Sequence, residues 1–217
     1  MSASAEARAG LTRVMRALVA AGLNRGATGN ASVRIPGGML ITPTGVLPDN
    51  LHDGAHVEMT LDGARARDQF TPSSEWHLHA SLYATRPDAG AAVHVHSPHA
   101  TALACLRLDI PAFHYMISVA GGDSVRCADY ATFGTPALSA TALAALQDRK
   151  ACLLANHGLL ALGHDLEAAY QLTLAVEDLA HQYCLARQCG TPVLLQTGEM
   201  DEVLERFKTY GQQIRDE

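Results

Sequence analysis

Lysine is scarce in this sequence of 217 residues, in which Lys150 and Lys208 accompany fourteen arginines. The formal net charge is −6, and no run of basic residues offers a surface for nucleic acid or for an anionic membrane. Enzymes that form a Schiff base need a desolvated lysine. Lys150 lies beside Arg149 and Asp148, and Lys208 lies near the C-terminus, so neither lysine suits that chemistry.

Cysteine motifs and long apolar runs are also missing. The five cysteines are odd in number and include no C-x-x-C pair, which predicts neither disulfides nor a thiolate metal site. No stretch reaches the length of a membrane span, and the N-terminus lacks the basic and apolar segments of a signal peptide. With 48% hydrophobic residues, the composition predicts one globular domain over residues 1–217, located in the cytoplasm.

An apolar strand that carries two histidines is the first candidate for a functional site. The run from Ala91 to His96 follows the breaker Arg86-Pro87-Asp88 and predicts a buried strand. Side chains alternate along a strand, so His94 and His96 project from the same face. The pair alone is as consistent with two structural histidines as with two ligands. His157, from a separate loop, would complete the three-ligand arrangement that catalytic zinc uses.

Three loops of small polar residues suggest a binding site for an oxyanion such as phosphate. They are Asn24–Ser32, Thr42–Gly45 and Phe70–Glu75. Backbone N–H groups, hydroxyls and amides hold phosphates without any lysine, especially at the start of a helix. Composition alone favours three ordinary turns, because none of the loops matches a nucleotide-binding fingerprint.

A helix is predicted from about residue 74 to residue 86, with Ser73 or Ser74 as its N-cap. Glu75 lies in the first turn of this helix. There it either stabilises the positive end of the helix or serves as a general base beside a metal. His77 and His79 are interpreted as structural residues, with His79 on the stripe that faces the core.

The rest of the chain reads as helices and strands without a linker or a repeat. Amphipathic spacing and helix start and stop signals predict helices over residues 4–21, 98–106, 138–146, 166–188 and 199–210. Short apolar or alternating runs predict strands over residues 31–35, 39–42, 151–155 and 158–162.

Taken together, these motifs resemble the class II aldolase/epimerase family, and the resemblance extends over nearly the whole chain. The segments that carry it are Gly29–Arg34, Ile41–Gly45, Pro72–Glu75, His94–His96, Pro111–Ile117, Tyr130–Thr135, His157–Gly158 and Lys208–Gly211. The resemblance implies an α/β fold of three layers (α/β/α) with a central, mostly antiparallel sheet. It also implies a homotetramer with active sites at the subunit interfaces.

The resemblance also implies roles for individual residues. His94, His96 and His157 match the family's zinc ligands, which makes Zn²⁺ the expected cofactor, and Glu75 matches its catalytic acid/base. Tyr115 matches a tyrosine that reaches the active site of the neighbouring subunit, and Tyr210 matches one on the C-terminal tail. Without the resemblance, a core aromatic and a surface residue are the simpler interpretations of the two tyrosines. The phosphate-binding positions match Gly29, Asn30, Thr44, Gly45, Ser73 and Ser74, with Thr44 where serine is frequent.

The activity that the resemblance implies is metal-dependent, reversible cleavage of a ketose 1-phosphate to dihydroxyacetone phosphate and an aldehyde. L-fuculose 1-phosphate, which yields L-lactaldehyde, is the first expected substrate. A 5-deoxy-pentulose-1-phosphate aldolase is the nearest alternative, and a sugar-phosphate dehydratase is a further one. L-ribulose-5-phosphate 4-epimerase is another, although that branch places an aspartate where Glu75 stands. A catalytically inactive binding module is the alternative from a different class, but all three histidines are retained.

Overall fold

A computed structural model describes residues 3–209, whose strands form one seven-stranded sheet of order β3-β2-β1-β4-β7-β6-β5. Each neighbouring pair is antiparallel except β5 and β6, which are parallel. The strands are β1 Asn30–Ile35, β2 Gly38–Ile41, β3 Val57–Met59, β4 Ala91–Val95, β5 Arg126–Ala128, β6 Ala151–Leu154 and β7 Gly158–Gly163. The α-helices are α1 Ala3–Ala20, α2 Trp76–Thr85, α3 Pro98–Cys105, α4 Pro136–Ala145, α5 Leu166–Cys189 and α6 Thr197–Phe207.

Alternation along the strands divides the core into two layers, one on each face of the sheet. In β4, Val93 packs with α1, α3, α5 and α6, whereas its neighbour Ala92 packs on the opposite face with α2 and α4. His94 shares the face of Ala92, so it points toward α2. The expected α/β/α fold with a mostly antiparallel sheet is therefore confirmed.

Helix α2 begins later than the sequence suggested, and its N-cap is Glu75 instead of Ser73 or Ser74. The preceding segment is held in extended form, because Ser73 N–H donates to the Thr42 carbonyl at 3.0 Å and Pro43 forms a bridge with Pro72. Ser73 thus belongs to this extended segment, and its hydroxyl accepts from Glu75 N–H at 3.3 Å, while the helical backbone begins only at Trp76. The predicted cap was wrong, and the correction places Glu75 at the boundary between strand-like and helical backbone.

Other boundaries lie within a few residues of those predicted, and β3 and β5 are additions to the predicted elements. Within residues 3–209, no helix is long and apolar enough to cross a bilayer. Tyr210 lies outside the described residues. The assignment of residues 1–217 to a single domain stays a prediction.

Candidate active site

Three histidines converge at one end of the central strands. His94 lies in β4, His96 follows the end of that strand, and His157 lies in the short connection between β6 and β7. Because β4 pairs with β7, this connection lies next to the end of β4. The ring centroids of the three imidazoles are 4.7–4.9 Å apart. One nitrogen of each lies within 4.8 Å of the others, so the group could hold a metal ion, as the sequence suggested.

The hydrogen bonding of His94 defines which of its nitrogens faces the cluster. Its Nδ1 lies 2.9 Å from the Leu159 carbonyl oxygen, which only accepts, so Nδ1 carries the proton. Nε2 is then a bare acceptor in the neutral ring, 3.0 Å from Nε2 of His96. Burial lowers the pKa of His94 and of His96, and it lowers the pKa of His157 to about 4. Neutral imidazoles with lone pairs turned inward are the form that binds a metal.

Glycine at position 158 permits this close approach of the rings. A Cβ atom there would lie 2.3 Å from the Val95 carbonyl oxygen and 3.2 Å from Cε1 of His94. Any larger residue would push β7 and β4 apart at the point where the histidines meet. The backbone before it turns sharply, since Asn156 has a φ of 55°. The sequence therefore needs Gly158 for packing beside the candidate metal site.

Glu75 faces the same cluster from the N-terminus of α2. Its side chain is buried, with Oε2 3.2 Å from Nε2 of His94 and Oε1 3.4 Å from Nε2 of His157. The amide of Asn30 donates to Oε2 at 2.9 Å. Burial raises the pKa of Glu75, but His94, His157 and the Asn30 amide outweigh it, so the pKa lies below its usual value. The carboxylate is therefore ionised at neutral pH.

The donor set fits a divalent cation on its own chemistry. Oε1 of Glu75 is buried and has no hydrogen-bond partner among residues 3–209. An ionised, unpartnered oxygen beside three neutral imidazoles is costly unless a cation completes the site. Three nitrogen ligands favour zinc among the common metals, although related transition metals accept the same set. The sequence placed Glu75 either as a favourable charge at the helix N-terminus or as a general base beside a metal, and the structure adds its distances to His94 and His157.

The predicted phosphate-binding residues divide into two groups. Gly29, Asn30 and Ser74 line a cavity of about 360 Å³ together with Glu75, His96 and His157. Thr44 and Gly45 are exposed in a neighbouring loop, where Thr44 N–H donates to the Thr71 carbonyl at 3.0 Å. Ser73 is buried, and its hydroxyl accepts from Glu75 N–H at 3.3 Å. Backbone hydrogen bonds thus join the loop of Thr44 to the loop of Ser73. Thr44, Gly45 and Ser73 do not line the described cavity.

One wall of the cavity comes from residues to which the sequence analysis gave no role. Tyr130, Ala131 and Phe133 line it, and the two aromatic side chains are 54% and 63% exposed. The sequence already contained one signal, two aromatic residues in a loop of small residues, and their exposure in the structure makes them candidates for ligand contact. Tyr115 is 48% exposed on the 3-10 helix Tyr115–Ala120 and does not line this cavity.

Comparison with known proteins identifies the class. Residues 9–184 match the family model described as Class II Aldolase and Adducin N-terminal domain. The chain belongs to this family, and it is a class II aldolase and thus a lyase, as expected. Enzymes of this class depend on a metal, in keeping with the histidine cluster.

The individual relatives narrow the range of activities within the class, but they do not assign a substrate to this chain. The chain is 50% identical over 204 residues to a 5-methylthioribulose-1-phosphate/5-deoxyribulose-1-phosphate aldolase from Rhodospirillum rubrum, covering 94% of this chain and 92% of the relative. It is 47% identical over 196 residues to an L-fuculose phosphate aldolase from Escherichia coli, covering 90% and 91% of the two chains. A solved structure of an L-fuculose 1-phosphate aldolase superposes with a TM-score of 0.90 at 41% identity, covering 96% and 98%.

Proposed function

We propose that this aldolase reversibly cleaves a deoxyketose 1-phosphate, with L-fuculose 1-phosphate as the first candidate, to dihydroxyacetone phosphate and a short aldehyde. The observation that carries the proposal is the cluster of three imidazoles beside Glu75, whose buried Oε1 has no hydrogen-bond partner among the described residues and lies 3.4 Å from Nε2 of His157. His94, His96 and His157 would hold Zn²⁺. When bound, this ion would act as a Lewis acid toward the negative charge that C3–C4 cleavage leaves on the three-carbon fragment.

Glu75 is the proposed acid/base. In the cleavage direction its carboxyl group protonates the hydroxymethyl carbon (C1) of the dihydroxyacetone phosphate fragment. In the synthetic direction its carboxylate removes the same proton. The pKa below the usual value supports the synthetic role at neutral pH, because the group then starts as the base. Its burial supports selective transfer, since bulk water does not compete at a side chain that is 7% exposed.

The phosphate is the proposed anchor, away from the bond that breaks. Gly29, Asn30, Thr44, Gly45, Ser73 and Ser74 are the proposed contacts. Support comes from the joined loops that contain them, and from the N-terminus of α2, whose partial positive charge favours an anion. Binding energy at the phosphate would hold the fragment in position for reaction without contributing to the chemistry directly.

The aldehyde end is proposed to lie along the wall of Tyr130, Ala131 and Phe133. Tyr115 from an adjacent subunit of a homotetramer is the proposed acid/base at the C4 hydroxyl, and Tyr210 is proposed to help close the site. The exposure of Tyr115 in the single chain supports a role in a neighbouring subunit.

A second candidate substrate is a 5-deoxy- or 5-methylthio-pentulose 1-phosphate. Two observations favour it: the name of the Rhodospirillum rubrum relative, and a cavity wall that is aromatic and suits an apolar aldehyde substituent. L-lactaldehyde carries an additional hydroxyl, for which Tyr130 is the one polar side chain of that wall. The 4-epimerase alternative has no comparable support, since Glu75 is the residue present.

The deciding experiment combines metal analysis with an aldol assay that uses dihydroxyacetone phosphate and a panel of aldehydes. We expect one bound divalent ion for each chain and chelator-sensitive turnover. Higher kcat/KM with L-lactaldehyde than with acetaldehyde or methylthioacetaldehyde supports the fuculose assignment, and the reverse order supports the pentulose assignment. Absence of chelator-sensitive turnover with every aldehyde removes the proposed function.

A further inference from the structure

A series of buried hydrogen bonds runs from Tyr83, near the C-terminal end of α2, to Glu75 at the N-terminus of the same helix. The Tyr83 hydroxyl lies 2.7 Å from Ser32 Oγ, which lies 2.6 Å from His79 Nδ1. His79 Nε2 lies 2.6 Å from Asn30 Oδ1, and the Asn30 amide donates to Glu75 at 2.9 Å. None of the five residues is more than 5% exposed. Neither metal binding nor phosphate binding accounts for the part of this series beyond Asn30.

These hydrogen bonds can form because the spacing of side chains along α2 matches the spacing along β1. Glu75, His79 and Tyr83 are spaced four residues apart and share one face of α2, with steps of about 6 Å. Asn30 and Ser32 are two residues apart on the same face of β1, with a step of about 6.6 Å. The strand residues therefore fit between the helix residues, and polar groups from the two elements alternate along the series.

The direction of each hydrogen bond follows from the acceptor at its end. The carboxylate of Glu75 only accepts, so Asn30 presents its NH₂ group to it and its Oδ1 to His79. His79 must then carry its proton on Nε2. Burial lowers the pKa of His79 to about 4, so the ring is neutral and its Nδ1 accepts from the Ser32 hydroxyl. Tyr83, whose pKa burial raises, keeps its proton and donates to Ser32.

We propose that His79 is a positioning residue for the reaction, which acts through Asn30 on Glu75. Its Nε2–H sets the orientation of the Asn30 amide, which directs an N–H to Oε2 of Glu75 and leaves Oε1 on the side of the cluster. With the opposite tautomer the amide would turn, and its oxygen would repel the carboxylate. This inference rests on the proposed function in one respect, because it takes Glu75 as the acid/base of the reaction.

The first test measures the tautomer and does not depend on turnover. Zinc-loaded protein labelled with ¹⁵N-histidine is examined by NMR, and the His79 signals are assigned by comparison with the His79→Gln variant. We expect a neutral ring with the proton on Nε2 between about pH 5.5 and pH 8. A proton on Nδ1, or an imidazolium at pH 7, overturns the proposal even if the protein is fully active.

The second test uses two substitutions of similar polarity but different reach. The amide nitrogen of His79→Gln reaches the place of Nε2 and can donate to Asn30, whereas that of His79→Asn falls short. We expect His79→Asn to lower kcat by about 10- to 100-fold with KM and zinc content close to wild type, and His79→Gln to retain most of kcat. His77→Gln, at the exposed neighbour on α2, serves as the matched control.

Equal kcat values for His79→Gln and His79→Asn, when both bind zinc, overturn the positioning role. So does a loss that appears only in KM, because that result would assign His79 to substrate binding. If neither substitution is tolerated, Ser32→Ala, which removes the donor to Nδ1, is expected to weaken the preference for the Nε2–H tautomer in the NMR experiment. A wild-type protein without aldol turnover contradicts the proposed function, and the tautomer measurement still decides the arrangement.

Discussion

Glu75 combines features that usually oppose each other, because it is buried and yet its pKa lies below the usual value. Burial raises that pKa, while His94, His157 and the Asn30 amide lower it and prevail. The side chain thus stays ionised close to the candidate metal site, with Oε2 satisfied by Asn30 and Oε1 without a hydrogen-bond partner among the described residues. A group held in this way can accept a proton without first being desolvated.

The substitution Glu75→Gln tests this assignment directly. We expect solvent exchange of the C1 proton of dihydroxyacetone phosphate to fall by about 100- to 10,000-fold, because the amide cannot accept the proton. Zinc content should stay close to wild type, since the three histidines remain. Exchange is measured by NMR in D₂O and metal by elemental analysis. Glu202→Gln, on the exposed face of α6, is the control; retained exchange in Glu75→Gln would assign the base to another residue.

His56 is a second buried titratable residue, far along the chain from the candidate ligands. It is 1% exposed, and its Nε2 lies 2.9 Å from Thr12 Oγ1, so it connects α1 to the segment before β3. Burial lowers its pKa from 6.5 to about 4. Below pH 6.5, His56 takes up a proton in the unfolded chain but stays neutral in the folded chain. The contribution of neutral His56 to the free energy of unfolding is therefore fully present above pH 6.5 and is lost progressively as the pH falls to about 4.

Acid titration of stability provides the corresponding prediction. Between pH 6.5 and 4 the His56 contribution should lower the free energy of unfolding by up to about 3 kcal/mol. His56→Gln should show a shallower decline, measured by urea unfolding of the metal-free protein at several pH values. His52→Gln, at an exposed position in the same segment, is the control. Parallel curves for wild type and His56→Gln would show that His56 does not contribute.

At the scale of elements, a carboxylate on α5 fixes the start of α3. Glu177 accepts from Ser97 Oγ at 2.7 Å, from His99 N–H at 2.9 Å and from Ala100 N–H at 2.9 Å. These N–H groups belong to the first turn of α3, where the helix itself offers no acceptor. Because α3 follows His96 directly, the same contact stabilises the end of β4 beside the candidate metal site.

Removing that carboxylate should affect both stability and metal retention. Glu177→Ala leaves buried donors without an acceptor, and we expect it to lower the free energy of unfolding by about 2–4 kcal/mol. Zinc should also dissociate faster, since His96 loses part of its support. Urea unfolding and competition with a chelator measure the two effects. Asp178→Ala, at the exposed neighbouring position, should be close to neutral; equal stabilities for the two variants would contradict the role of Glu177.

At the scale of the whole molecule, the role proposed for Tyr115 calls for a second chain. Tyr115 is exposed, does not line the described cavity and stacks on His114 with ring centroids 4.9 Å apart. A tyrosine in this position can contribute to catalysis only if another subunit, or a rearrangement, brings it to a site. The proposed homotetramer offers the first explanation without any change in the chain.

Complementation between two inactive variants tests the shared site. Glu75→Gln and Tyr115→Phe should each have low activity alone. After subunit exchange of a 1:1 mixture, about one quarter of the sites should contain both native residues, and activity should recover to about that fraction. Sedimentation measures the oligomeric state in parallel. A monomer, or no recovery although subunits exchange, would place Tyr115 outside the neighbouring active site.

The sequence predicted those elements whose patterns are long or strongly alternating. The strand of His94 and helix α5 were both anticipated within a residue or two. The three-residue strands β3 and β5 were not, because a segment this short carries no measurable periodicity and is ordered by its neighbours in the sheet. The start of α2 was misplaced because the segment before it pairs with a distant loop, through the Pro43–Pro72 bridge and the bond from Ser73 N–H to the Thr42 carbonyl.

For the candidate site, the sequence identified the histidine pair from strand alternation and His157 as a third ligand from a separate loop, and the family resemblance matched all three. It interpreted His79 as a structural residue and gave no function to the loop that contains Tyr130 and Phe133. A histidine on the buried stripe of a helix has the same local pattern whether it packs against leucine or donates to an asparagine. The difference depends on which strand lies opposite, and local periodicity does not contain that information.

The sequence by itself determined the class of this protein, through the resemblance of its motifs to a known family. It also determined the faces on which its functional side chains lie, because alternation and helical spacing follow from local backbone geometry. Only the tertiary structure decided that Glu75 contacts the histidine cluster and that Asn30 links it to His79. These contacts join residues that are far apart in the chain, and the packing of α2 against β1 and β4 sets their distances. Packing of this kind depends on the whole core at once, so no single motif could have predicted it.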